Sequence, residues 1–305
     1  MLHKGDAVMM TLRKLLAATD FSSSSRHAAD RAARLARQTG AQMQLLHVVS
    51  GNALAQLQQL LGLGSPVEQA LIDEAKRTLD TLASELTLNR EVAVEASLLQ
   101  GSVLAEISSQ AEELDADLVV LGARGAGLMH RLLLGSTAER LLHKTLRPLL
   151  VVKQRAHEPY RRVLVPVDFS PWSATALNLA HSVAPGAHLV LLHAYEVPFE
   201  GKLRVAGVDG VAIDKYRSQA QQRASQQLHA LAAAAGMLPA DWTPCVLYGD
   251  ASSHIVEQEE EQDCDLIVIG KHGQNMIEEL LLGSVTRHAL AESAGDVLVS
   301  TWRQA

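Results

Sequence analysis

The stretch Asp117-Leu118-Val119-Val120-Leu121-Gly122-Ala123-Arg124-Gly125 is followed, after nine residues, by Gly135-Ser136-Thr137. The pattern returns as Asp265-Leu266-Ile267-Val268-Ile269-Gly270-Lys271-His272-Gly273, nine residues, and then Gly283-Ser284-Val285-Thr286. Each version starts as a short, continuous apolar run, the mark of a strand buried on both faces. It then passes through two glycines to a Gly-Ser unit that opens a helix. Glycines placed after a strand let the backbone approach a ligand and permit positive φ. The free N–H groups and dipole of a helix start favour an anion. A Ser or Thr hydroxyl there can meet a phosphate oxygen or cap the helix. One such glycine reads as a turn; the two-part pattern, written twice in register, reads as a phosphate site.

Working outward, the rest of the chain duplicates too. Thr19-Asp20-Phe21-Ser22 resembles Val167-Asp168-Phe169-Ser170, 148 residues later. Leu45-Leu46-His47 matches Leu191-Leu192-His193 at an offset of 146, and Gln100-Gly101-Ser102 matches Tyr248-Gly249-Asp250 at 148. A near-constant offset across separate motifs signals a tandem repeat, expected as copies 1–156 and 157–305 within the 305 residues. The polar segment 153–162, with Pro159, reads as the linker. Each copy reads as alternating strands and helices, five strands in all, which implies a parallel, doubly wound sheet. Asp20 and Asp168 end the short apolar runs of the first strands. Ser170-Pro171 is a good N-cap and N1 pair, and Gly40 and Gly186 mark the ends of the first helices or the turns after them. Long helices are expected over 67–86 and 214–234, and fifth strands over Leu149–Val152 and Val297–Ser300.

Composition narrows the function classes. Aromatics are 3% of the chain, so the cores must be built from Leu, Val, Ile and Ala. The net charge is −7; residues 1–156 hold 17 basic against 16 acidic side chains, and 157–305 hold 10 against 18. Neither copy is basic enough to suggest a nucleic-acid partner. Cys245 and Cys264 are the two cysteines, with no CxxC spacing, which argues against a disulfide framework or structural zinc. The opening residues are too short and polar for a secretory signal, and no apolar run approaches the ~18 residues of a membrane span. The expectation is a cytoplasmic protein with no membrane association.

The Gly-x2-Gly-x9-Gly-Ser/Thr pattern, with an Asp ending the first strand, resembles the ATP-binding branch of the universal stress protein family, and the resemblance covers nearly the whole chain twice. It implies two Rossmann-like domains of the adenine nucleotide α-hydrolase-like type, each a five-stranded parallel sheet of order 3-2-1-4-5. It implies ATP, with Mg²⁺ able to arrive on its phosphates, at the carboxyl ends of the strands. Asp20 and Asp168 match the family's adenine or ribose end, and Val48 and Ala194 match a position that meets adenine through the backbone. Gly122, Gly125, Gly135, Ser136 and Thr137 match the ribose and phosphate contacts of the first copy. Gly270, Gly273, Gly283, Ser284 and Val285 match those of the second. Pro166 matches a family proline, where the first copy departs with Ala18. Family members commonly dimerise through fifth strands, which implies an intrachain pseudo-dimer with those strands antiparallel, and a homodimer of chains.

Other features weigh less. The nine-residue loops differ, with His130-Arg131 in one copy and Glu278-Glu279 in the other, though Lys271 and His272 lie between the second copy's first two glycines; the first site is favoured for a polyphosphate. His47 and His193 read as packing residues, Ser22 to Ser25 as a helix start, Cys264 as an inert core thiol, and the run from Glu257 to Asp263 as a solvated helix face. No His, Cys or Asp cluster has metal-ligand spacing. The expected function is that of a nucleotide-dependent sensor or regulator in stress response. There is no nucleophile–base pair and no Walker lysine, so fast catalysis is not expected. The alternatives are a nucleotide α-hydrolase-like enzyme, whose Ser-Gly-Gly-x-Asp-Ser loop is replaced here by Thr19-Asp20-Phe21-Ser22-Ser23-Ser24, and a ligand-free interaction scaffold.

Overall fold

The structure, a computed structural model, describes residues 11–61, 65–125, 134–273 and 282–301. These fall into two compact units, one holding 11–159, Leu282 and 294–301, the other 160–273 and 283–293.

The first unit begins with β1 (Lys14–Ala18), α1 (Ser23–Thr39), β2 (Gln42–Ser50), α2 (Gly51–Leu61), α3 (Ser65–Arg90) and β3 (Val94–Gly101). It continues with α4 (Val103–Glu113), β4 (Leu118–Gly122), α5 (Ser136–Lys144) and β5 (Leu149–Val152). The strands lie in the order β3-β2-β1-β4-β5, all parallel. Helix α1 packs closely because the face it buries is mostly alanine: Ala28, Ala29, Ala32, Ala33 and Ala36 are at most 1% exposed. Ser22 caps its start by accepting the Ser25 N–H, and Gly40, at φ 73°, closes its end, where glycine alone adopts the left-handed turn without a Cβ penalty.

The second unit repeats the plan with β6 (Arg162–Pro166), α6 (Pro171–Val183), β7 (His188–Tyr195), α7 (Glu200–Val205), α8 (Gly210–Ala234) and β8 (Trp242–Tyr248). After them come α9 (Ala251–Glu261), β9 (Leu266–Gly270) and α10 (Ser284–Glu292). Its strands lie in the order β8-β7-β6-β9, also parallel. Helices α2 and α7 add to the elements expected from sequence. The acidic run along and just after α9 is exposed at Glu257, Glu260, Glu261 and Asp263, as expected of a solvated face, while Glu259 departs from it at 5% exposure beside Gln258 at 6%.

The last strand, β10 (Asp296–Ser300), belongs by sequence to the second copy and by packing to the first unit. It runs antiparallel to β5, with Val297 opposite Val151, Leu298 opposite Leu150 and Val299 opposite Leu149. All six side chains are fully buried. Asp296 secures the start of the strand: its Oδ1 accepts the N–H groups of Lys153 at 2.8 Å and Gln154 at 3.2 Å. Its Oδ2 lies 3.4 Å from Arg31 Nε on α1. At the other end Thr301 Oγ1 donates to the Leu146 carbonyl at 2.6 Å. The short apolar edge of β5 is therefore covered, which removes an open template for pairing with other chains.

Candidate functional site

In each copy the first and fourth strands are neighbours whose following helices are α1 and α5, or α6 and α10. A crevice therefore opens beyond their carboxyl ends, where the strand order reverses. A cavity of about 350 Å³ sits there in the first copy, and one of about 300 Å³ in the second. Both fall at the lower end of the range for small-molecule sites.

The turn after the first strand is built alike in both. Phe21 and Phe169 take left-handed φ values of 64° and 62°, a conformation unfavourable for a residue with a Cβ. A histidine from the second strand steadies each turn. His47 Nδ1 donates to the Thr19 carbonyl at 2.8 Å, and His193 Nδ1 to the Val167 carbonyl at 2.7 Å. The Phe and His rings lie 4.1 Å apart, centre to centre, in the first copy and 4.3 Å in the second. Burial lowers the pKa of His47, favouring the neutral ring. The histidines are therefore packing and positioning groups, as their place at a strand end suggested.

The turn aims the aspartates. Asp20 Oδ1 accepts the Ser22 N–H and hydroxyl at 3.1 and 2.5 Å. Asp168 Oδ1 accepts the Ser170 N–H and hydroxyl and the Ser173 hydroxyl at 3.0, 2.6 and 2.8 Å. The other oxygen of each faces the glycine loop: a Cβ built on Gly125 would lie 3.0 Å from Asp20 Oδ2, and one on Gly273 would lie 3.2 Å from Asp168 Oδ2. Any side chain at those glycines would press on the carboxylate.

The loop glycines act by close approach, and the expected positive φ is not used. None of Gly122, Gly125, Gly135, Gly270, Gly273 and Gly283 has a left-handed φ; Gly135 is at −64° and Gly283 at −58°. At Gly122 the approaching group is α1: a Cβ there would lie 2.7 Å from the Ser24 carbonyl carbon. The two parts of each loop are clasped by the Gly135 N–H donating to the Ala123 carbonyl at 2.8 Å, and the Gly283 N–H to the Lys271 carbonyl at 3.0 Å. Gly135 and Gly283 are the N-caps of α5 and α10, without a side-chain cap. Ser136 and Ser284 are thus first helical residues, and they do not cap as sequence had suggested. The first-turn N–H groups point out of the helix start, as is general for helices.

Every site residue named from sequence lines one of the two cavities. Asp20, Val48, Gly122, Gly125, Gly135, Ser136 and Thr137 come together in the first. Asp168, Ala194, Gly270, Gly273, Gly283, Ser284 and Val285 come together in the second. The loop residues His130, Arg131, Glu278 and Glu279 lie outside the described residues. Sequence reading missed part of the walls. Thr19, Ser25 and Arg124 line the first cavity; Trp172, Ser173 and His272 line the second. The 148-residue offset pairs Ser24 with Trp172 and Arg124 with His272, which was the available signal.

Elsewhere, Cys264 is buried and its thiol is pushed up to about 12 by burial, which keeps it protonated and unreactive. Among the described residues no group of three His, Cys, Asp or Glu could hold a metal, and no helix is long and apolar enough to cross a membrane.

Comparisons with known proteins agree with this architecture. The sequence pattern of the universal stress protein family matches residues 11–153 and again 159–300. A universal stress protein of Mycolicibacterium smegmatis is 28% identical over 303 residues, covering 93% of this chain and 96% of that one. One from Methanocaldococcus jannaschii is 30% identical over 146 residues, 48% of this chain and 85% of the relative. The crystal structure of a universal stress protein from Archaeoglobus fulgidus superposes with a TM-score of 0.68 at 20% identity, covering 96% of this chain and 99% of that one. Two family matches in succession, over two α/β repeats with parallel sheets, place this chain in the universal stress protein family as a tandem, two-domain member.

Proposed function

We propose that this protein binds adenine nucleotide, with ATP at the first cavity, and acts in stress response as a regulator read out through nucleotide occupancy. The observation that carries the reading is convergence. In each copy an aspartate, three glycines and a helix start, from segments far apart in sequence, meet at one cavity. In the first copy, α5 offers backbone N–H groups and the Ser136 and Thr137 hydroxyls to phosphate oxygens. Asp20 sits across the loop from them, where a carboxylate can accept hydrogen bonds from ribose hydroxyls or an adenine amine. Val48 and Ile107 give the apolar wall a base needs.

Titration calorimetry of the whole chain with ATP tests the reading. Val at position 135 would crowd the Ala123 carbonyl, 3.3 Å from the Cβ position, and cover the helix start. Gly135→Val is expected to weaken ATP binding at least tenfold with the circular dichroism spectrum retained. Wild-type protein that takes up no adenine nucleotide, by calorimetry or by mass spectrometry of the purified protein, would refute the assignment, as would unchanged affinity in the variant.

A further inference from the structure

The two cavities differ most along one wall. In the first copy Ser24 Oγ accepts the Arg124 N–H at 3.2 Å, and the exposed Arg124 lines the cavity. The second copy has Trp172 and His272 in these places, their ring centres 5.4 Å apart at 62°. Trp172 Cβ lies 3.3 Å from where a Cβ on Gly270 would be, so the indole stem is pressed against the end of β9. His272 is 7% exposed.

The helix starts differ in the same sense. Helix α5 begins Ser136-Thr137-Ala138, and α10 begins Ser284-Val285-Thr286. Thr286 does not restore the missing hydroxyl, because it is 3% exposed and its Oγ1 donates to the Gly270 carbonyl at 2.8 Å. Of the residues that begin α10, Ser284 presents the exposed hydroxyl. Among the described residues, the second cavity thus has the Trp172 and His272 rings on the wall where the first has Arg124, and a valine where the first has a threonine.

Resting on the reading of both cavities as nucleotide sites, we infer that they take different ligands. The first takes a nucleoside polyphosphate, and the second a nucleoside carrying at most one phosphate. A triphosphate brings several charges, each of which needs donors when it leaves water. Among the described residues, one helix start and one exposed hydroxyl, that of Ser284, match one phosphate group. Beyond it, the second copy offers indole and imidazole, which suit a flat ring or the carbon face of a sugar.

The test is calorimetry with ATP and with AMP, at equal ionic strength, on the full chain carrying Gly135→Val so that the second cavity is read alone. AMP is expected to bind at least tenfold tighter than ATP, with a change in tryptophan fluorescence that Trp172→Phe removes. The double variant Trp172→Ser, His272→Arg is expected to narrow or reverse that preference. Equal or tighter ATP binding at the second cavity, or an AMP preference untouched by the double variant, overturns the inference while leaving ATP at the first cavity standing. No nucleotide bound at either cavity of the wild-type chain overturns both.

Discussion

The two copies agree where the backbone must turn and disagree where a ligand would touch. The histidine that holds the strand-end carbonyl, the left-handed phenylalanine and the aspartate tied to the following serine recur within a few tenths of an ångström. One part of the walls does not recur: Arg124 lines one cavity, Trp172 and His272 the other. Shared constraints of chain geometry account for the first set. The second set varies without disturbing the fold, and the proposed difference in ligand rests on it.

The same contrast runs through the anchors of the fifth strands, and it can be broken experimentally. Asp296 is 1% exposed and holds two N–H groups and Arg31; the first copy has Pro148 at the equivalent place. Asp296→Ala is expected to cost about 2–4 kcal/mol, because a buried guanidinium loses its carboxylate and two amides lose their acceptor. Denaturant unfolding measures this, and a loss below about 1 kcal/mol would mean that β10 is held by its apolar pairing alone.

Gly122 and Gly270 form a second pair. Alanine at 122 meets Ser24 backbone atoms at 2.7 and 2.8 Å, whereas alanine at 270 meets its nearest neighbours at 3.2 and 3.3 Å. Gly122→Ala is expected to cost roughly 1–3 kcal/mol and Gly270→Ala clearly less. Thermal melts of the two variants side by side check the ranking, and the reverse order would show that Ser24 moves aside easily.

Arg147 is a third asymmetry, since Gly295 takes its place in the second copy. It is 6% exposed and donates to Glu112 and Asp115. With partners 56% and 64% exposed, its removal as Arg147→Ala is expected to cost about 1–2 kcal/mol, read as a shift in denaturation midpoint. A smaller effect than that of a surface arginine such as Arg77 would count against it.

The smallest effect concerns pH. His47 has its pKa lowered by burial, so the unfolded chain binds its proton more readily than the folded one. Stability from this group is fully present above the unfolded value near 6.5 and declines as pH falls through the folded value. His47→Gln should flatten that part of the stability–pH curve, and an unchanged slope between pH 7 and 5 would remove His47 from the account.

Much of this was legible in the sequence because duplication wrote each signal twice. The apolar runs mark the strands, the 148-residue offset pairs the two copies motif by motif, and the resemblance to the universal stress protein family joins each aspartate to its glycine loop. Helix α2 was not legible, because it starts at Gly51 directly against a strand. Helix α7 is six residues long, with Gly201 inside it and Gly207 just beyond. The positive φ expected of the loop glycines is absent, and their closeness to α1 or to a carboxylate was not legible because it depends on residues about 100 positions away. The Trp172–His272 wall was hidden for the same reason.

The placement of β10 also bears on how the chain is made. Val151 meets its partner Val297 only after 146 further residues exist. At ~5–20 residues per second that is a wait of roughly 7–30 s. Throughout it, a nascent first copy holds the apolar edge of β5 without its eventual neighbour. Such an edge can recruit a matching strand from another polypeptide on the same messenger, so crowded translation would favour exchanged, entangled products unless a chaperone covers it.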